Sequence, residues 1–571
     1  MGLIYTNEAR CRDCYKCVRE CQVKAIRIRD VTGSEAQRAE VMEERCIQGG
    51  RCVLVCPQQA KRVRNNVGKA KELISAGQTV VASLAPSFAA GLPLRPERVV
   101  AALRKLGFTS VQETSFGAEL VAAEHKRLPY GRTFLSSACP AVVSLVEKHF
   151  PDLISYLSPV VSPMIAHARF IKSVDPEAAV VFIGPCIAKK SEAEEKQYGG
   201  VVDVALDFTE LWEWMQEEIA DFKSLPAELK TEFDGPQADI GKLFPLEGGM
   251  LRTAGMSMDR LDDTVMVLSG LESCLELLRH LQLGMPCKVG LIELLACTDG
   301  CINGPMVVNE EDVFIKKQRI VDYFSRSHRR KGKALPEIKG VELYRTYTNR
   351  LFPLPLPSEA ELNEILARTG KTKVEDQLNC GACGYPTCKD KAIAVYQGFA
   401  ELKMCIPFMR ERAESVSNRV FASMPNGIII VNQELKILEI NDVARRMLGV
   451  MGKNPKGQAL SLYMDPVNFH QVAVSGSVLN LTMNYKQKDL ITREIIFPLG
   501  PEEIAGIFID ITEDSKREEQ QDLLNNETIK RAEEVISKQM QVAQEIAGLL
   551  GETTADTKVQ LTKLIKLVKN K

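Results

Sequence analysis

The chain has few of the features that would direct it to a membrane or to nucleic acid. No apolar run among its 571 residues is long enough to span a bilayer, because prolines interrupt the run VVASLAPSFAAGLPL. Its 73 Lys and Arg residues are balanced by 74 Asp and Glu residues, so no net field attracts nucleic acid or anionic lipid. The start, MGLIYTNEARC, lacks the basic-then-apolar order of a signal peptide. We therefore expect a cytoplasmic protein that binds neither nucleic acid nor membrane.

Cysteine, by contrast, is abundant. The chain has 17 cysteines but only six histidines. In the cytosol thiols are kept reduced, so disulfides are not expected, and the cysteines cluster with the spacing of metal ligands. We therefore predict that most of these thiols bind metal.

Composition changes several times along the chain, and its length predicts three to five domains. Between the cysteine-rich ends, strand-like runs (TVVASL, RTFLSS, AVVFIG, TVMVLSG) alternate with amphipathic helical stretches, a pattern typical of an α/β layer. Ser358 and Glu361 have capping-box spacing after a proline-rich connector. The predicted segments are a cysteine-rich start (1–68), the α/β region (69–352), a linker with a helix (353–375), a second cysteine-rich region (376–410), a strand-turn-strand region (411–515) and a helical end (516–571).

Two cysteine runs near the start have the spacing of a two-cluster ferredoxin. The first run is C-x2-C-x2-C-x3-C, and the second, CIQGGRCVLVCP, ends in Cys-Pro. In such proteins the last cysteine of each run crosses to the other cluster. One 4Fe-4S cluster is therefore predicted at Cys11, Cys14, Cys17 and Cys56. The second cluster is left with three thiols, Cys21, Cys46 and Cys52, with Gly49 in place of the fourth.

The site with Gly49 is one ligand short, and three occupancies are open: a 3Fe cluster, a labile 4Fe cluster with an outside ligand, or no cluster. A zinc site for the whole region is the further alternative. Near residue 400 the pattern C-x2-C-x4-C-x16-C predicts a third site at Cys380, Cys383, Cys388 and Cys405. A zinc ribbon would fit this spacing, but the segment resembles a small 4Fe-4S domain of electron-transfer and corrinoid proteins, which would extend an electron relay.

Four further cysteines lie far apart: Cys139, Cys186, Cys297 and Cys301. The first two come where a strand ends and a helix begins. Helix N-termini and the carboxyl ends of parallel strands favour an anionic centre. Each of these cysteines taken alone reads as structural, as do Cys274 and Cys287, which lack such a context. The quartet together predicts a shared site.

The segments around these cysteines resemble the FeFe hydrogenase family. SSACPAVVSLVEKHFPDL is similar to its first signature, T-S-C-C-P-x-W; IGPCIAKKSEAE to its second, M-P-C-x-x-K; and ELLACTDGCINGP to its third, E-x-M-x-C-x3-C. Further similarity runs through SLAPSFAA, LGFTSVQETSFGAEL, FPLEGGMLRTA and VLSGLESCLELL, and covers about residues 78–310. The resemblance implies a two-lobed α/β H-cluster domain beside a ferredoxin-like α+β domain.

The resemblance also implies a cofactor, the H-cluster. Its 4Fe-4S part would be held by the quartet above, and the Cys301 sulfur would bridge to a diiron unit that carries CO, cyanide and an azadithiolate. Lys189 would pair with one cyanide by a charge-assisted hydrogen bond, and Ser87 with the Ala85–Pro86 backbone would meet the other.

Several positions depart from the family's pattern. Ala138 stands where catalytic members have a proton-relay cysteine, and a methyl group cannot carry a proton. We expect turnover to fall by a factor on the order of 10² to 10⁴. His125 and Leu128 stand near the carboxylates of the family's proton path, while Ser158 is kept.

The residues beside the diiron unit also differ. Gly184 and Leu295 replace two methionines, and Val142 replaces the tryptophan of the first signature. These changes should alter the polarity and packing beside the iron without removing a ligand.

The end of the chain resembles a PAS domain followed by a signalling helix. SMPNGIIIVNQELKILEINDVARRMLG matches the start of such a domain over about residues 415–515, with Gly449 ending a helix. A small α/β domain without a sensory role is the alternative. Beyond it, apolar residues near heptad spacing predict a dimerising helix, or a helix packed on its own chain: Ile529, Ala532, Ile536, Ala543, Ile546 and Leu550.

Together these features predict a sensory FeFe hydrogenase that resembles the branch called group D. It would bind and slowly, reversibly oxidise H2 to protons and electrons, pass electrons through the clusters to a ferredoxin-like redox partner, and report its state as a homodimer to a separate kinase or phosphatase. Two alternatives stay open. One is a metabolic, ferredoxin-linked hydrogenase, and the other is a non-catalytic hydrogenase-like iron-sulfur protein that never receives the diiron unit.

Overall fold

The computed structural model describes residues 2–30, 37–129, 131–222, 230–257, 264–328, 340–452, 454–549, 559–560 and 562–563. The chain divides into two compact units, Met1–Met409 and Arg410–Lys571. Each unit is built around cores of its own.

The first unit begins with a small region in which each cysteine run leads into a short helix. Its elements are β1 (Ile4–Thr6), α1 (Lys16–Glu20), β2 (Ile26–Asp30), β3 (Gln37–Val41), α2 (Arg51–Leu54) and β4 (Lys61–Val63). β1 pairs with β4 and β2 with β3, both antiparallel. Left-handed residues, Tyr15 (φ 53°) and Gly50 (φ 74°), come directly before α1 and α2 and turn the cysteine loops sharply into the helices.

A larger α/β region follows. Its elements are α3 (Val67–Ser75), β5 (Val80–Leu84), α4 (Phe88–Gly91), α5 (Pro96–Lys105), β6 (Ser110–Glu113), α6 (Ser115–Lys126), β7 (Phe134–Leu135), α7 (Pro140–His149), α8 (Pro163–Val174), β8 (Ala179–Gly184), α9 (Ile187–Ala193), β9 (Val204–Asp207), α10 (Phe208–Glu218), α11 (Gly249–Thr253), β10 (Val265–Ser269), α12 (Leu271–Gln282), β11 (Leu291–Leu295) and α13 (Val313–His328).

Two parallel sheets form the frame of this region. Their strand orders are β6-β5-β8-β9 and β10-β11-β7. β5, β8 and β11 are buried along their whole length, which explains their nearly unbroken apolar sequences, since parallel strands are covered on both faces. The four strand-like runs in the sequence are thus confirmed as β5, β7, β8 and β10.

A buried charge cluster fixes the start of α10. Asp207 and Glu210 form a capping box, and both carboxylates also form buried ion pairs with the Lys190 ammonium at 2.7 Å. Lys190 lies on α9, so these contacts tie α9, which follows the second signature, to the end of the sheet.

The first unit ends with a small helical region. Its helices are α14 (Glu359–Ala367) and α15 (Cys388–Tyr396). Ser358 and Glu361 form the capping box that their spacing predicts, with the Ser358 amide donating to the Glu361 carboxylate at 2.8 Å. The region contacts the cysteine-rich start of the chain, where the Ile28 amide donates to the Gly398 carbonyl at 2.9 Å.

The second unit is an antiparallel sheet with helices on one side and a long helix at its end. The elements in this part of the chain are α16 (Ile406–Ser423), β12 (Gly427–Asn432), β13 (Ile437–Ile440), α17 (Asp442–Leu448), α18 (Val467–Ser475), β14 (Leu479–Tyr485), β15 (Leu490–Pro498), β16 (Glu503–Asp510) and α19 (Thr512–Leu549). The strand order is β13-β12-β16-β15-β14. Gly449 ends α17 with φ 71°, as predicted.

None of the described heptad positions on α19 is buried by the described part of the chain. Ile529, Ile536 and Ala543 are partly exposed, and Ala532 and Ile546 are exposed. Leu550 lies outside the described residues. Across the described chain, we find no helix with both the length and the apolar character that crossing a membrane requires.

Candidate functional site

The four scattered cysteines lie at the carboxyl ends of parallel strands from both sheets. Cys139 follows β7 and caps α7, and Cys186 follows β8 and caps α9. Cys297 and Cys301 follow β11, with Cys301 opening a 3-10 turn. The four thiols interact: Cys139, Cys186 and Cys301 each raise the pKa of Cys297, and Cys139 and Cys186 raise that of Cys301.

These thiols are suited to hold a metal cluster. Burial is the main cause of the raised pKa values of Cys186, Cys297 and Cys301, and it raises that of Cys186 to about 11. All four retain some accessible surface, so a bound group has room beside their sulfur atoms. Four cysteines around such a space become thiolates only if positive charge is present, and iron supplies that charge. The quartet thus fits a 4Fe-4S cluster.

Lys189 reaches the same space from α9. Its ammonium donates to Glu192 Oε2 at 2.7 Å and to the Ala138 carbonyl at 3.4 Å, and it lowers the pKa of both Cys186 and Cys301. Glu192 is buried. Because an ammonium has three N–H donors, a lysine held in this way keeps one donor for an anionic ligand.

Among the three buried serines whose side chains lack a partner within the described part of the chain, two are predicted site residues. They are Ser87, which follows the Ala85–Pro86 step at the end of β5, and Ser158, beside β7. A buried hydroxyl without a partner costs about 1–3 kcal/mol, so natural structures rarely keep one. Both serines therefore fit positions that a bound group would satisfy.

None of the three residues at the positions of the family's proton path, Ala138, His125 and Leu128, has a carboxylate. Ala138 is partly exposed toward the site and offers only its carbonyl, to Lys189. His125 is fully buried, its Nδ1 lies 2.8 Å from the Val121 carbonyl, and burial lowers its pKa to about 4. Leu128 packs against a small apolar cluster. A neutral imidazole, a methyl group and an isobutyl group stand at these three positions.

The substituted residues beside the site are tightly packed. Gly184, Leu295 and Val142 are all buried. A side chain at Gly184 would have its Cβ 2.8 Å from the Phe182 ring and 3.2 Å from the Ala85 side chain, so the ring fills the space of a larger residue there.

The structure adds two residues that sequence reasoning did not select. Glu293 is buried on β11, accepts the amides of Met250 (3.4 Å) and Leu251 (3.3 Å), and has a pKa raised to about 8 by burial. It lies near enough to Cys301 to raise the pKa of that thiol. A carboxylate within an otherwise apolar strand was the signal that could have identified it.

Cys274 is the second such residue. It is fully buried on α12, donates to the Leu295 carbonyl at 3.6 Å, and interacts with Cys139 and Cys297. Burial raises its pKa to about 12. A cysteine inside an amphipathic helix gives no sequence signal that it borders the site.

The cysteines predicted to share each cluster site in the cysteine-rich start interact with one another. At the first, Cys17 interacts with Cys11, Cys14 and Cys56, and burial raises its pKa to about 11. Lys61 is buried beside this group and donates to the Thr6 hydroxyl and the Ala39 carbonyl, each at 2.6 Å.

At the second site, Cys21, Cys46 and Cys52 interact with one another. Burial raises the pKa of Cys46 to about 11. The three thiols and Gly49 line a cavity of about 980 Å³.

The third predicted site lies in the small helical region. One pocket is lined by Cys380, Cys383, Cys388 and Cys405. Two buried lysines also line it: Lys371 donates to Cys405 Sγ at 3.3 Å, and the pKa of Lys391 is lowered by burial. In the described residues, no three Cys, His, Asp or Glu side chains close around a single ion.

These sites adjoin one another. Burial lowers the pKa of Lys24, and Cys21 and Cys383, which are both close to its ammonium, oppose that effect; the ammonium donates to the Gly384 carbonyl at 2.7 Å. The large cavity beside Cys21 is also lined by Ala382 from the third site and by Cys297 from the quartet. The three-thiol site therefore lies between the third site and the quartet.

Four family profiles match successive parts of the chain. Residues 10–60 match the 4Fe-4S dicluster domain, and residues 78–305 match the iron-only hydrogenase large subunit, C-terminal domain. Residues 376–407 match a putative Fe-S cluster domain, and residues 417–470 match a PAS domain. The third match favours iron-sulfur over the zinc ribbon.

Curated relatives fall into two groups. Iron hydrogenase 1 of Clostridium pasteurianum is 25% identical over 324 residues, covering 47% of this chain and 55% of its own length. NADP-reducing hydrogenase subunit HndD of Solidesulfovibrio fructosivorans is 28% identical over 273 residues, which cover 36% of this chain and 44% of the relative's length. Cytosolic Fe-S cluster assembly factor NAR1 of Kluyveromyces lactis is 33% identical over 100 residues, which cover 18% of this chain and 20% of the relative's length. The chain spans about half the length of the hydrogenases it matches.

Solved structures were matched as well. An apo [FeFe]-hydrogenase HydA1 variant from Chlamydomonas reinhardtii is 19% identical, with a TM-score of 0.42, covering 51% of this chain and all of the other. The PAS domain of an HTR-like protein from Haloarcula marismortui is 16% identical, with a TM-score of 0.16, covering 18% of this chain and 98% of the other. From the profiles and relatives, this is a mixed α/β, hydrogenase-like iron-sulfur protein with a ferredoxin-like 4Fe-4S region, an FeFe-hydrogenase H-cluster domain, a small Fe-S domain and a PAS domain.

Proposed function

We propose that the protein is a sensory FeFe hydrogenase of the group D type, which binds H2 and oxidises it slowly and reversibly. The proposal is supported by the position of Cys139, Cys186, Cys297 and Cys301 after the carboxyl ends of β7, β8 and β11, and by their interactions with one another and with Lys189. When bound there, an H-cluster supplies the redox-active irons and the amine base that split H2.

The residues around the space have separable roles. The quartet would hold the 4Fe-4S part, with Cys301 shared with the diiron unit. Lys189 would donate its remaining N–H to an anionic ligand, and Glu192, at 2.7 Å, positions the ammonium. Ser87, which follows the Ala85–Pro86 step, would donate its hydroxyl to a ligand on the other side, which gives that buried hydroxyl a partner.

Slow turnover follows from Ala138. The methyl group at this position has no acidic proton, and the Leu128 side chain has none either. The His125 imidazole stays neutral above about pH 4. Proton exit must then use water or another side chain, with Ser158 at the far side. Gly184 and Leu295 would make the surroundings of the irons less polarisable than methionine would.

Electrons would leave through the iron-sulfur sites. The three-thiol site adjoins both the quartet and the third site, which supports a relay from Cys297 through Cys21 to Cys383. A ferredoxin-like partner would exchange electrons at the exposed clusters. The 17 free cysteines are typical of a reducing compartment, so we place this activity in the cytoplasm.

The second unit would carry the output. PAS domains and exposed heptad positions support a homodimer that reports to a separate kinase or phosphatase. The uncovered apolar positions of α19, among them Ile536 and Ile546, supply a surface for the second copy.

A non-catalytic role is the second candidate function. The relative with the highest identity of the three above is an iron-sulfur cluster assembly factor, and its match supports a chain that keeps clusters but lacks the diiron unit. A metabolic hydrogenase is the third, and Ala138 argues against it because such enzymes need rapid proton transfer.

Infrared spectroscopy of the anaerobically matured full chain tests the proposal. We expect sharp CO and cyanide bands that shift on exposure to H2. Lys189→Met should weaken them strongly, whereas Lys196→Met, at an exposed position, should not. Absence of the bands after maturation that loads a known hydrogenase would favour the assembly-type role, and turnover as fast as that hydrogenase's would favour a metabolic one.

A further inference from the structure

Gly49 stands at the place of the missing fourth ligand, and its surroundings show what the missing side chain leaves behind. A Cβ built on Gly49 would contact only the Ile47 side chain, at 3.7 and 3.8 Å, which is ordinary van der Waals distance. Gly49 is not among the glycines with positive φ. Neither space nor backbone conformation therefore requires glycine at this position, and a cysteine would fit.

The neighbouring glycine is different. A Cβ at Gly50 would lie 2.4 Å from Pro305 Cβ and 3.0 Å from the Ile187 side chain, and its φ is +74°. Gly50 is thus the point at which the cysteine-rich start packs against the first residue of α9, which follows Cys186, and against Pro305, which follows Cys301. Of the two glycines, only Gly50 is explained by packing.

The corner left open by Gly49 faces a cavity rather than protein. Gly49 lines the cavity of about 980 Å³ together with Cys21, Cys46 and Cys52. A space of this size admits a molecule of several heavy atoms beside a cluster. A 4Fe-4S cluster held here by three thiolates would have one iron without a cysteine ligand, directed toward this cavity.

Among the described residues that line the cavity, none has a side chain suited to complete the cluster. The one further cysteine in its lining, Cys297, belongs to the quartet. Glu20 also lines it, but its carboxylate is paired with Arg51 at 3.0 Å. Glu272 is exposed at the start of α12. Iron in a cluster prefers sulfur donors, so the chemistry of the open corner calls for a thiolate from outside the chain.

We propose that Cys21, Cys46 and Cys52 hold a 4Fe-4S cluster whose fourth iron binds a small external thiol in this cavity. On binding, the thiol gives its proton to solvent, its sulfur bonds to the iron, and a water leaves, so no electron is transferred. The site lies between the third site and the quartet, where a change of ligand would alter electron passage. The inference needs the iron-sulfur sites of the chain but not the H2 chemistry.

The test uses the full chain reconstituted with iron and sulfide, without the maturation that would add a diiron unit. Every other predicted cluster site has four cysteine ligands, so only this site is expected to have an open iron. Ferricyanide should remove one electron and release one Fe²⁺ per chain, leaving the paramagnetic signal of a 3Fe cluster. Dithionite then returns one electron to the 3Fe cluster, and ⁵⁷Fe²⁺ should refill it and label one iron. Adding 2-mercaptoethanol should change the Mössbauer spectrum of that iron.

Gly49→Cys supplies the missing thiolate and should abolish both the iron release and the response to thiol. Gly68→Cys is the matched control, since nothing lies within 4 Å of a side chain there, and it should behave as the wild type. Glu20→Gln and Glu272→Gln should also change nothing.

Each contrary result overturns the inference. A wild-type chain that releases no iron, a 3Fe cluster that does not take up iron, or a labelled iron indifferent to thiol would each do so. A loss of the signal in Glu20→Gln or Glu272→Gln would assign the corner to a carboxylate of the chain. Missing CO and cyanide bands in the matured protein would refute the proposed function and leave this result untouched.

Discussion

Ala138 is the residue on which the rate of the proposed reaction depends most. Replacing it with cysteine would supply a thiol beside Lys189 and the quartet. We expect Ala138→Cys to raise H2 oxidation by a factor on the order of 10² to 10⁴, because a positioned acid-base group typically contributes that much. The measurement is H2-dependent dye reduction, normalised to the intensity of the CO bands.

Ala138→Ser is the matched control for this prediction. A serine has nearly the same size but holds its proton much more tightly, so we expect a far smaller gain. If cysteine and serine gave the same rate, or if cysteine gave no increase, proton transfer at this position would not limit the reaction.

Glu293 makes stability depend on pH. Its pKa is raised to about 8 in the folded protein, by burial first, so the folded state keeps a proton that the unfolded state releases above about pH 4.3. Folding is therefore favoured at low pH, and the stability that this group contributes falls as pH rises toward about 8. For one group the difference is on the order of a few kcal/mol.

Thermal unfolding of the apoprotein checks this expectation. Between about pH 5 and about pH 8.5 the wild type should lose more stability than Glu293→Gln, which has no proton to release. The intrinsic fluorescence of Trp212 and Trp214, on α10, reports the transition. Parallel pH curves for the two proteins would contradict the prediction.

At the scale of elements, the approach of α2 to the site loops depends on Gly50. In Gly50→Ala, the alanine would have to adopt the left-handed backbone conformation, which costs about 1 kcal/mol. Its methyl carbon would also lie 2.4 Å from Pro305, and this overpacking would add about 1–3 kcal/mol. Gly77 has nearly the same φ, +72°, with nothing within 4 Å, so Gly77→Ala isolates the backbone cost.

We expect a clearly lower thermal midpoint for Gly50→Ala than for Gly77→Ala. We also expect faster protease cleavage between β4 and α3 in the first variant, since its cysteine-rich start would loosen. Equal midpoints would mean that the contact with Pro305 contributes nothing.

The elements were largely predictable because their signals are local. β5 and β8 are continuous apolar runs, and the α14 capping box is a four-residue pattern. The strand-end, helix-start positions of Cys139 and Cys186 were predictable as well, since such junctions are visible in the sequence. Contacts between distant segments were not: Lys24 donating to Gly384, and Cys274 beside Cys139, depend on how regions pack, which no short pattern records.

At the scale of the whole molecule, the two compact units should be separable. Each has a core of its own, and the first contains all 17 cysteines. We expect residues 1–409, expressed alone, to keep the same iron and sulfide content per chain as the full protein, and residues 410–571 to fold without iron. Iron analysis and circular dichroism are the measurements. A loss of iron from the first piece would show that its clusters need the second.

The long terminal helix has a mechanical consequence. α19 spans 38 residues, about 57 Å, and its first residue is clamped to the sheet, because the Thr512 hydroxyl accepts the Ile491 amide at 2.9 Å. A rod fixed at one end amplifies angles, so a tilt of only about 5° at Thr512 would swing the far end by about 5 Å. A distortion of β15 too small to disturb its own hydrogen bonds would thus become a displacement as wide as one helical turn.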